Sequence, residues 1–185
     1  MLVLPVIDYP GPGGDLALYD EAWTDQEIES LLAYVEQGGL LVLTNSAHRL
    51  QLFGLAFDEN EDWEDMNALS EAFGVVFESG TLPSSSARTE GQHPLTEDQA
   101  SLVLIDNNGV PFTMQAGDTL ARANGRPAVG MVEYGEAGGQ VLVLADIGIL
   151  GFAGPELPEK DNLVFLRNLA RYARTLSREA PPATP

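Results

Sequence analysis

Cysteine is absent from this sequence of 185 residues, and lysine occurs once, at Lys160. The chain therefore has no disulfides, no thiolate metal site and no cysteine nucleophile, and its redox compartment cannot be read from the sequence. Chemistry that needs a Schiff-base lysine has one candidate residue.

His93, followed by Pro94, has no second ligand residue at a metal-binding spacing, which indicates a loop anchor. We expect no cofactor.

Basic residues are scarce overall. Nine Lys and Arg stand against 28 Asp and Glu, which gives a formal charge of −19. A surface this negative repels phosphate backbones and anionic lipid headgroups, so we expect no nucleic-acid partner and no membrane-surface binding. The remaining composition, 44% hydrophobic and 20% charged, is typical of a globular domain with a proper core.

Long apolar runs are also missing. The run from Met1 to Ile7 is ended by Asp8, and no stretch approaches the ~18 apolar residues of a membrane span. We therefore expect a soluble chain without membrane insertion, and the sequence leaves its compartment open.

The first half of the chain alternates short apolar runs with a helical pattern. Thr24 and Glu27 form a capping box for a helix that ends at Gly38 and Gly39. Apolar runs at Leu2–Ile7 and Leu40–Leu43 flank this helix, as in strands buried on both faces. The order of helix, Gly-Gly and strand predicts a step of a parallel α/β sheet.

The second half is richer in β-strand patterns. Turn signals at residues 107–109 and 137–139 predict hairpins within the region 100–145. A further all-apolar run, Val141–Leu144, precedes Asp146, and a last helix is predicted over Asp161–Ser177. Residues 179–185 read as a tail or linker.

Four parts of the sequence match a known family in their order along the chain. They are the unit from Trp23 to Leu43, the segment Asn67–Val75, the segment His93-Pro94-Leu95-Thr96, and the ending Gly139–Asp146 followed by Asp161-Asn162-Leu163. In this order they resemble the class I glutamine amidotransferase-like superfamily. They are most similar to its non-catalytic GIFT-type branch, found in the gliding-motility protein GldG and an intraflagellar-transport subunit.

The resemblance implies an α/β fold, a flavodoxin-like three-layer sandwich with a mainly parallel central sheet and added hairpins at residues 100–145. It implies one domain over residues 1–178. Family members have a further strand and helix before the strand that starts at Leu2 here. Either the domain is truncated, or a partner covers that edge, or the sheet is smaller. Because the Met1–Ile7 edge is apolar, we expect self-association or a protein partner.

The resemblance also bears on chemistry. Active members carry a cysteine on the tight turn after the strand that corresponds to Leu40–Leu43, and Asn45 stands at that position here. An amide is not a nucleophile. No histidine follows the Val141–Ala145 strand, so both halves of the Cys-His-acid triad are missing and glutaminase chemistry is not expected. The leading hypothesis is a non-catalytic binding or assembly module.

Polar residues that follow the apolar strands are the candidate site. Asp8, Asn45, Ser46 and Asp146 each come just after a predicted strand. In open α/β sheets the ligand crevice lies outside the carboxyl ends of the strands, so these residues could bind a cation, a sugar hydroxyl or a polar peptide. The competing interpretation is that each caps the next turn or helix. An alternative function uses Asp8 and Asp146 in a carbohydrate-binding or carboxylate- or metal-assisted hydrolase domain.

Two charged patterns have both a functional and a structural interpretation. Asp58, Asn60, Asp62 and Glu64 alternate like half of a calcium loop, but Trp63 stands where the turn needs glycine, so a solvated acidic loop is the stronger interpretation. Arginines repeat along the last helix and could dock an acidic partner, or pair with acids of the same chain. These arginines are Arg167, Arg171, Arg174 and Arg178.

Overall fold

The computed structural model describes residues 1–4, 23–45, 62–104, 109–150 and 160–179. These residues form three helices and nine strands, with short 3-10 turns at Glu71–Phe73, Pro94–Thr96 and Ile147–Leu150. The helices are α1 (Asp25–Glu36), α2 (Asp62–Ser70) and α3 (Lys160–Glu179). The strands are β1 (Leu2–Leu4), β2 (Leu40–Thr44), β3 (Val75–Phe77), β4 (Ser86–Thr89), β5 (Ser101–Val103), β6 (Phe112–Met114), β7 (Asp118–Ala123), β8 (Arg126–Tyr134) and β9 (Gly139–Leu144).

Seven strands form one mixed sheet in the order β1-β2-β9-β8-β7-β4-β5. The α/β class is confirmed, but the mainly parallel sheet is not. β1, β2 and β9 are parallel to one another, whereas β9, β8, β7, β4 and β5 pair antiparallel. The reason lies in the connections. Asn124-Gly125 joins β7 to β8, residues 135–138 join β8 to β9, and turns this short can only connect antiparallel neighbours. The hairpin predicted at residues 137–139 is thus part of the main sheet. The hairpin predicted at 107–109 is wrong, because β5 belongs to the main sheet whereas β6 pairs antiparallel with β3 in a separate two-stranded sheet.

Helix α1 begins and ends as its sequence predicts. The Glu27 carboxylate accepts hydrogen bonds from the Thr24 N–H at 2.9 Å and from the Thr24 hydroxyl at 2.7 Å. These two bonds, the backbone one first, lower the pKa of Glu27. At the other end Gly38 has φ 91°, a left-handed conformation that suits glycine. The helix packs close to the sheet, since a Cβ on Gly139 of β9 would overlap the carbonyl oxygen of Val35.

The core is centred on β2 and β9. Every residue of both strands is buried, which confirms that the runs Leu40–Leu43 and Val141–Leu144 are strands covered on both faces. The same burial predicted for the run that starts at Leu2 is wrong at Leu2 itself, which is exposed because β1 is the outermost of the described strands. At the outer end of the sheet β1 pairs with β2 alone among the described strands, and Met1 and Leu2 are 54% and 39% exposed. Self-association through this edge stays a prediction.

Two asparagines on helices act as partners for strand backbones. Asn67 of α2 donates to the Phe77 carbonyl at 2.9 Å and accepts from the Phe77 N–H at 2.8 Å. Asn162 of α3 does the same for Val103 of the edge strand β5, at 2.9 and 2.8 Å. A side-chain amide has one donor and one acceptor group at the spacing of a peptide unit, so it replaces a neighbouring strand. Each contact fixes a helix against the end of a sheet.

A third asparagine ties α3 to the loop before β5. Asn168 donates to the carbonyls of Leu95 and Glu97 at 3.3 and 2.9 Å. In the same loop Nδ1 of His93 accepts from the Leu95 N–H at 3.2 Å, and the His93 ring lies 5.4 Å from the Tyr172 ring of α3, centroid to centroid. The prediction that His93 is a loop anchor is confirmed.

Replacement of Asn67 tests the backbone contact of α2. We expect Asn67→Ala to lower the free energy of unfolding by about 2–4 kcal/mol, because it leaves the buried N–H and carbonyl of Phe77 without partners. Urea unfolding followed by circular dichroism measures the change. Ala68→Gln, at the exposed neighbouring position of the same helix, is the matched control and should leave stability unchanged. Equal free energies of unfolding for Asn67→Ala and Ala68→Gln would refute the stabilising role of the Asn67–Phe77 hydrogen bonds.

The His93 contact predicts a pH dependence. Burial lowers the pKa of His93 from its model-compound value of 6.5, and Asp118 opposes this in part. The folded state therefore favours the neutral ring that accepts from Leu95, so its contribution to stability is present above pH 6.5 and is lost as pH falls through the folded-state pKa. Carboxylates stay largely ionised above about pH 5.5.

We therefore expect the chain to lose stability between about pH 7.5 and 5.5, and His93→Asn to lose less. Asparagine retains an acceptor at this cap position and has no proton to gain. Thermal unfolding at a series of pH values measures the difference. Parallel pH profiles for the two proteins would contradict the prediction.

Candidate functional site

Of the residues predicted to form a ligand site, Asn45 and Asp146 lie in the described part of the chain. Asp8 and Ser46 lie outside it, as do Asp58 and Asn60 of the weak metal-binding pattern. Asp62 is the first residue of α2, and its side chain is outside the described part. Within the described residues no group of three or more His, Asp or Glu is arranged to hold a metal ion. No helix within those residues is long and apolar enough to cross a membrane.

Asn45 and Asp146 lie at the same end of the sheet, where the parallel strands β2 and β9 terminate. β2 and β9 are parallel neighbours in which Thr44 is opposite Leu144, so the residues that follow both strands emerge side by side. The Asn45 N–H donates to the Leu144 carbonyl at 3.3 Å, and the Asn45 carbonyl accepts from the Ile147 N–H at 3.1 Å. The backbone of Asn45 is therefore bonded to the chain on both sides of Asp146.

Asp146 caps the short turn that follows β9. Its Oδ1 accepts from the Gly148 N–H at 2.7 Å, and its carbonyl accepts from the Ile149 N–H at 3.1 Å. This is the usual role of aspartate at the start of a helical turn. The side chain is 0% exposed and that of Asn45 is 1% exposed. The carboxylate thus has a backbone partner inside the protein.

Neighbouring segments contact this end of the sheet. Ala145, the residue after β9, donates to the Ala128 carbonyl at 2.9 Å and accepts from the Val110 N–H at 2.7 Å. Asn162 of α3 also approaches, with its Nδ2 3.4 Å from the Gly148 carbonyl oxygen. The bond from the Gly148 N–H to the Asp146 carboxylate supports the capping interpretation of Asp146, and a ligand-binding role for Asn45 and Asp146 stays a prediction.

The side chain of Thr44, the last residue of β2, was not singled out from the sequence. It is fully buried, and its hydroxyl makes no hydrogen bond within the described residues. A buried hydroxyl without a partner costs free energy, so it marks a point where the edge of the sheet is not optimised for stability. The sequence gives no signal for this, because threonine is common in strands.

A groove lies at the opposite end of the sheet. Its volume is about 350 Å³, and it is open to solvent beside the start of β2. The groove is lined by Met1, Tyr34, Gln37, Gly38, Gly39, Leu40, Ala173 and Leu176. It brings together the end of α1, the first residue of the chain and the second half of α3, which are far apart in sequence. Sequence patterns therefore could not indicate it.

No protein-family model matches the sequence, and a search of curated protein sequences finds no match. Solved structures do share the fold. The mmIFT52 N-terminal domain superposes with a TM-score of 0.62 at 12% identity, over 90% of this chain and 76% of that domain. Cytoplasmic protein STM3548 from Salmonella typhimurium gives 0.58 at 14% identity, over 92% of this chain and 70% of the other.

Part of a larger enzyme has a similar structure. The cold-adapted β-galactosidase from Rahnella sp. R3 superposes with a TM-score of 0.54 at 16% identity over 98% of this chain. This chain spans 23% of that enzyme. At such identities the similarity concerns the fold, because one fold hosts many unrelated functions.

Thr44→Val tests the unpartnered hydroxyl. Valine has nearly the same shape and no polar atom to leave unpaired, so we expect the free energy of unfolding to rise by about 1 kcal/mol. Thr96→Val is the matched control, because the buried Thr96 hydroxyl donates to the His93 carbonyl at 3.3 Å and its loss should lower stability. Chemical unfolding of both variants gives the comparison. A loss of stability in Thr44→Val would mean that the hydroxyl has a partner in solution.

Proposed function

We propose that this chain is a non-catalytic module that binds protein and contributes to the assembly of a larger complex. The observation that supports the proposal most directly is the environment of Asn45 at the end of β2. This residue is buried, and its backbone is bonded to Leu144 and Ile147. An amide at this position supplies no nucleophile. The nearby carboxylate of Asp146 caps a turn and is buried.

The likeness to the mmIFT52 N-terminal domain supports the same proposal. From the sequence, the chain resembles the non-catalytic GIFT-type branch of the glutamine amidotransferase-like superfamily. We further propose that the fold is a degenerate member of that superfamily, in which β1, β2 and β9 are the remaining parallel strands of a flavodoxin-like sheet. The antiparallel strands β8, β7, β4 and β5 extend this sheet on one side.

Turnover assays with the full chain test the absence of catalysis. We expect no release of ammonia from glutamine and no cleavage of nitrophenyl glycosides above the buffer rate, since Asn45 is not a nucleophile and the Asp146 carboxylate is buried and bonded to Gly148. Asp146→Asn is the matched variant, because it removes the carboxylate and keeps the size of the side chain. Turnover by the parent chain that Asp146→Asn abolishes would replace the proposal with a hydrolase function.

Purification from the native cells tests assembly. We expect the tagged full chain to elute with a defined protein partner, at an apparent mass well above 19.8 kDa, and the tagged partner to retrieve the chain in return. Recovery of the chain as a free monomer under mild conditions would contradict the proposal.

A further inference from the structure

The basic residues of this acidic protein are concentrated on one helix. Of nine Lys and Arg in the chain, one lysine and four arginines belong to α3. These residues are Lys160, Arg167, Arg171, Arg174 and Arg178. Their spacings of seven, four, three and four residues place them along one side of the helix, over a length of about 27 Å. We call Arg167, Arg171 and Arg174, whose side chains the structure describes, the arginine strip.

The arginine strip faces solvent. Phe165 and Leu169 on the other side of α3 are buried in the core, and Tyr172 and Leu176 pack against it. All three arginines of the strip are exposed. The asparagine contacts of Asn162 and Asn168 hold the helix in this orientation.

The arginine strip forms no ion pair with the described residues, although the chain has 28 acidic residues. Two arginines of the sheet do pair, Arg122 with Glu90 at 2.8 Å and Arg126 with Glu78. Like charges three and four residues apart weaken a helix slightly. Within the described residues the strip therefore gains no stabilising ion pair, and its three charges point into solvent.

An apolar side chain adjoins the strip. Leu163 precedes Arg167 by four residues, on the same side of α3, and is 48% exposed. A polypeptide that carries both carboxylates and an apolar residue can satisfy this combination, with guanidinium–carboxylate pairs beside one hydrophobic contact. Nucleic acid and anionic lipid surfaces have a higher charge density, which the net charge of −19 repels more strongly.

We propose that the arginine strip of α3, together with Leu163, docks an acidic segment of a partner protein. The proposal rests on the assembly function proposed above and names the chemistry of the partner. Charge complementarity indicates an acidic partner, because its carboxylates neutralise the row of positive charges that the arginine strip forms on α3. The apolar contact at Leu163 then distinguishes a polypeptide from a simple polyanion.

Fluorescence anisotropy with a labelled helical peptide of Glu and Leu residues tests the proposal. We expect the full chain to bind this peptide at low salt, more weakly as salt rises, and not to bind the same peptide with Gln in place of Glu. The triple variant Arg167→Gln, Arg171→Gln, Arg174→Gln should bind at least about tenfold more weakly, since each exposed pair contributes up to about fivefold. Glutamine is nearly as good a helix former as arginine, so the variant should melt no lower than the parent.

Single variants provide the matched comparison. Arg171→Gln should weaken binding about two- to fivefold, whereas Arg88→Gln, which removes an exposed arginine from β4, should not. Leu163→Gln should also weaken binding. Equal affinities for Arg171→Gln and Arg88→Gln would overturn the proposal, as would tighter binding of duplex DNA or anionic vesicles than of the peptide.

Light scattering separates a second copy of the chain from a different partner. A dimer that dissociates in the triple variant would assign the strip to self-association and overturn the proposal. The proposed assembly function is tested separately, by the turnover assays. Turnover of glutamine or glycosides would refute that function without changing the result of the peptide titration. A native partner retained by the triple variant would refute the docking surface and leave the assembly function standing.

Discussion

Unpaired backbone groups at the ends of the sheets are the constraint that this fold has to meet, and three asparagine side chains meet it. Asn67 pairs with Phe77, Asn162 with Val103, and Asn168 with the loop at Leu95. Two of them join α3 to segments more than fifty residues away in sequence. A buried peptide group without a partner is costly, so these contacts largely determine where α2 and α3 lie. Through α3 they also determine which of its residues face solvent.

The parallel strands β2 and β9 impose a second constraint on the fold. β2 and β9 are buried along their whole length, and their register brings Asn45 and Asp146 to one edge. There the backbone of Asn45 bonds to Leu144 and Ile147, and the carboxylate of Asp146 accepts from Gly148. Each of these bonds is made to the backbone of the chain itself, which is the contact expected of residues that cap a strand or a turn. The Thr44 hydroxyl has no hydrogen-bond partner among the described residues, so this part of the chain leaves one buried polar group unpaired.

Several elements could be predicted from the sequence because their signals are local. The capping box at Thr24, the glycines after α1 and the apolar runs of β2 and β9 each act within a few residues, and all were confirmed. Strand direction depends on how strands are connected, and the tight Asn124-Gly125 turn, with positive φ at both residues, made β7 and β8 antiparallel. The position of Asn45 and Asp146 at one end of the sheet followed from strand order, whereas the contacts of Val110 and Ala128 with Ala145, and of Asn162 with Gly148, join segments that are remote in sequence. The segments with Asp8, Ser46, Asp58 and Asn60 lie outside the described residues, and their roles stay predictions.

On helix α3, the residues that stabilise the fold and the residues proposed to bind a partner lie on opposite sides. Its inner side carries Phe165, Leu169 and the asparagines, which make the contacts that place the helix. Its outer side carries arginines that make no ion pair within the described chain. Substitution of the outer residues can therefore change recognition without unfolding the protein. Because the inner contacts hold the helix in one orientation, the outer side is ordered before a partner arrives. The entropy lost on association is then smaller than for a flexible basic segment, so a narrow row of exposed charges can bind measurably despite the weakness of each pair.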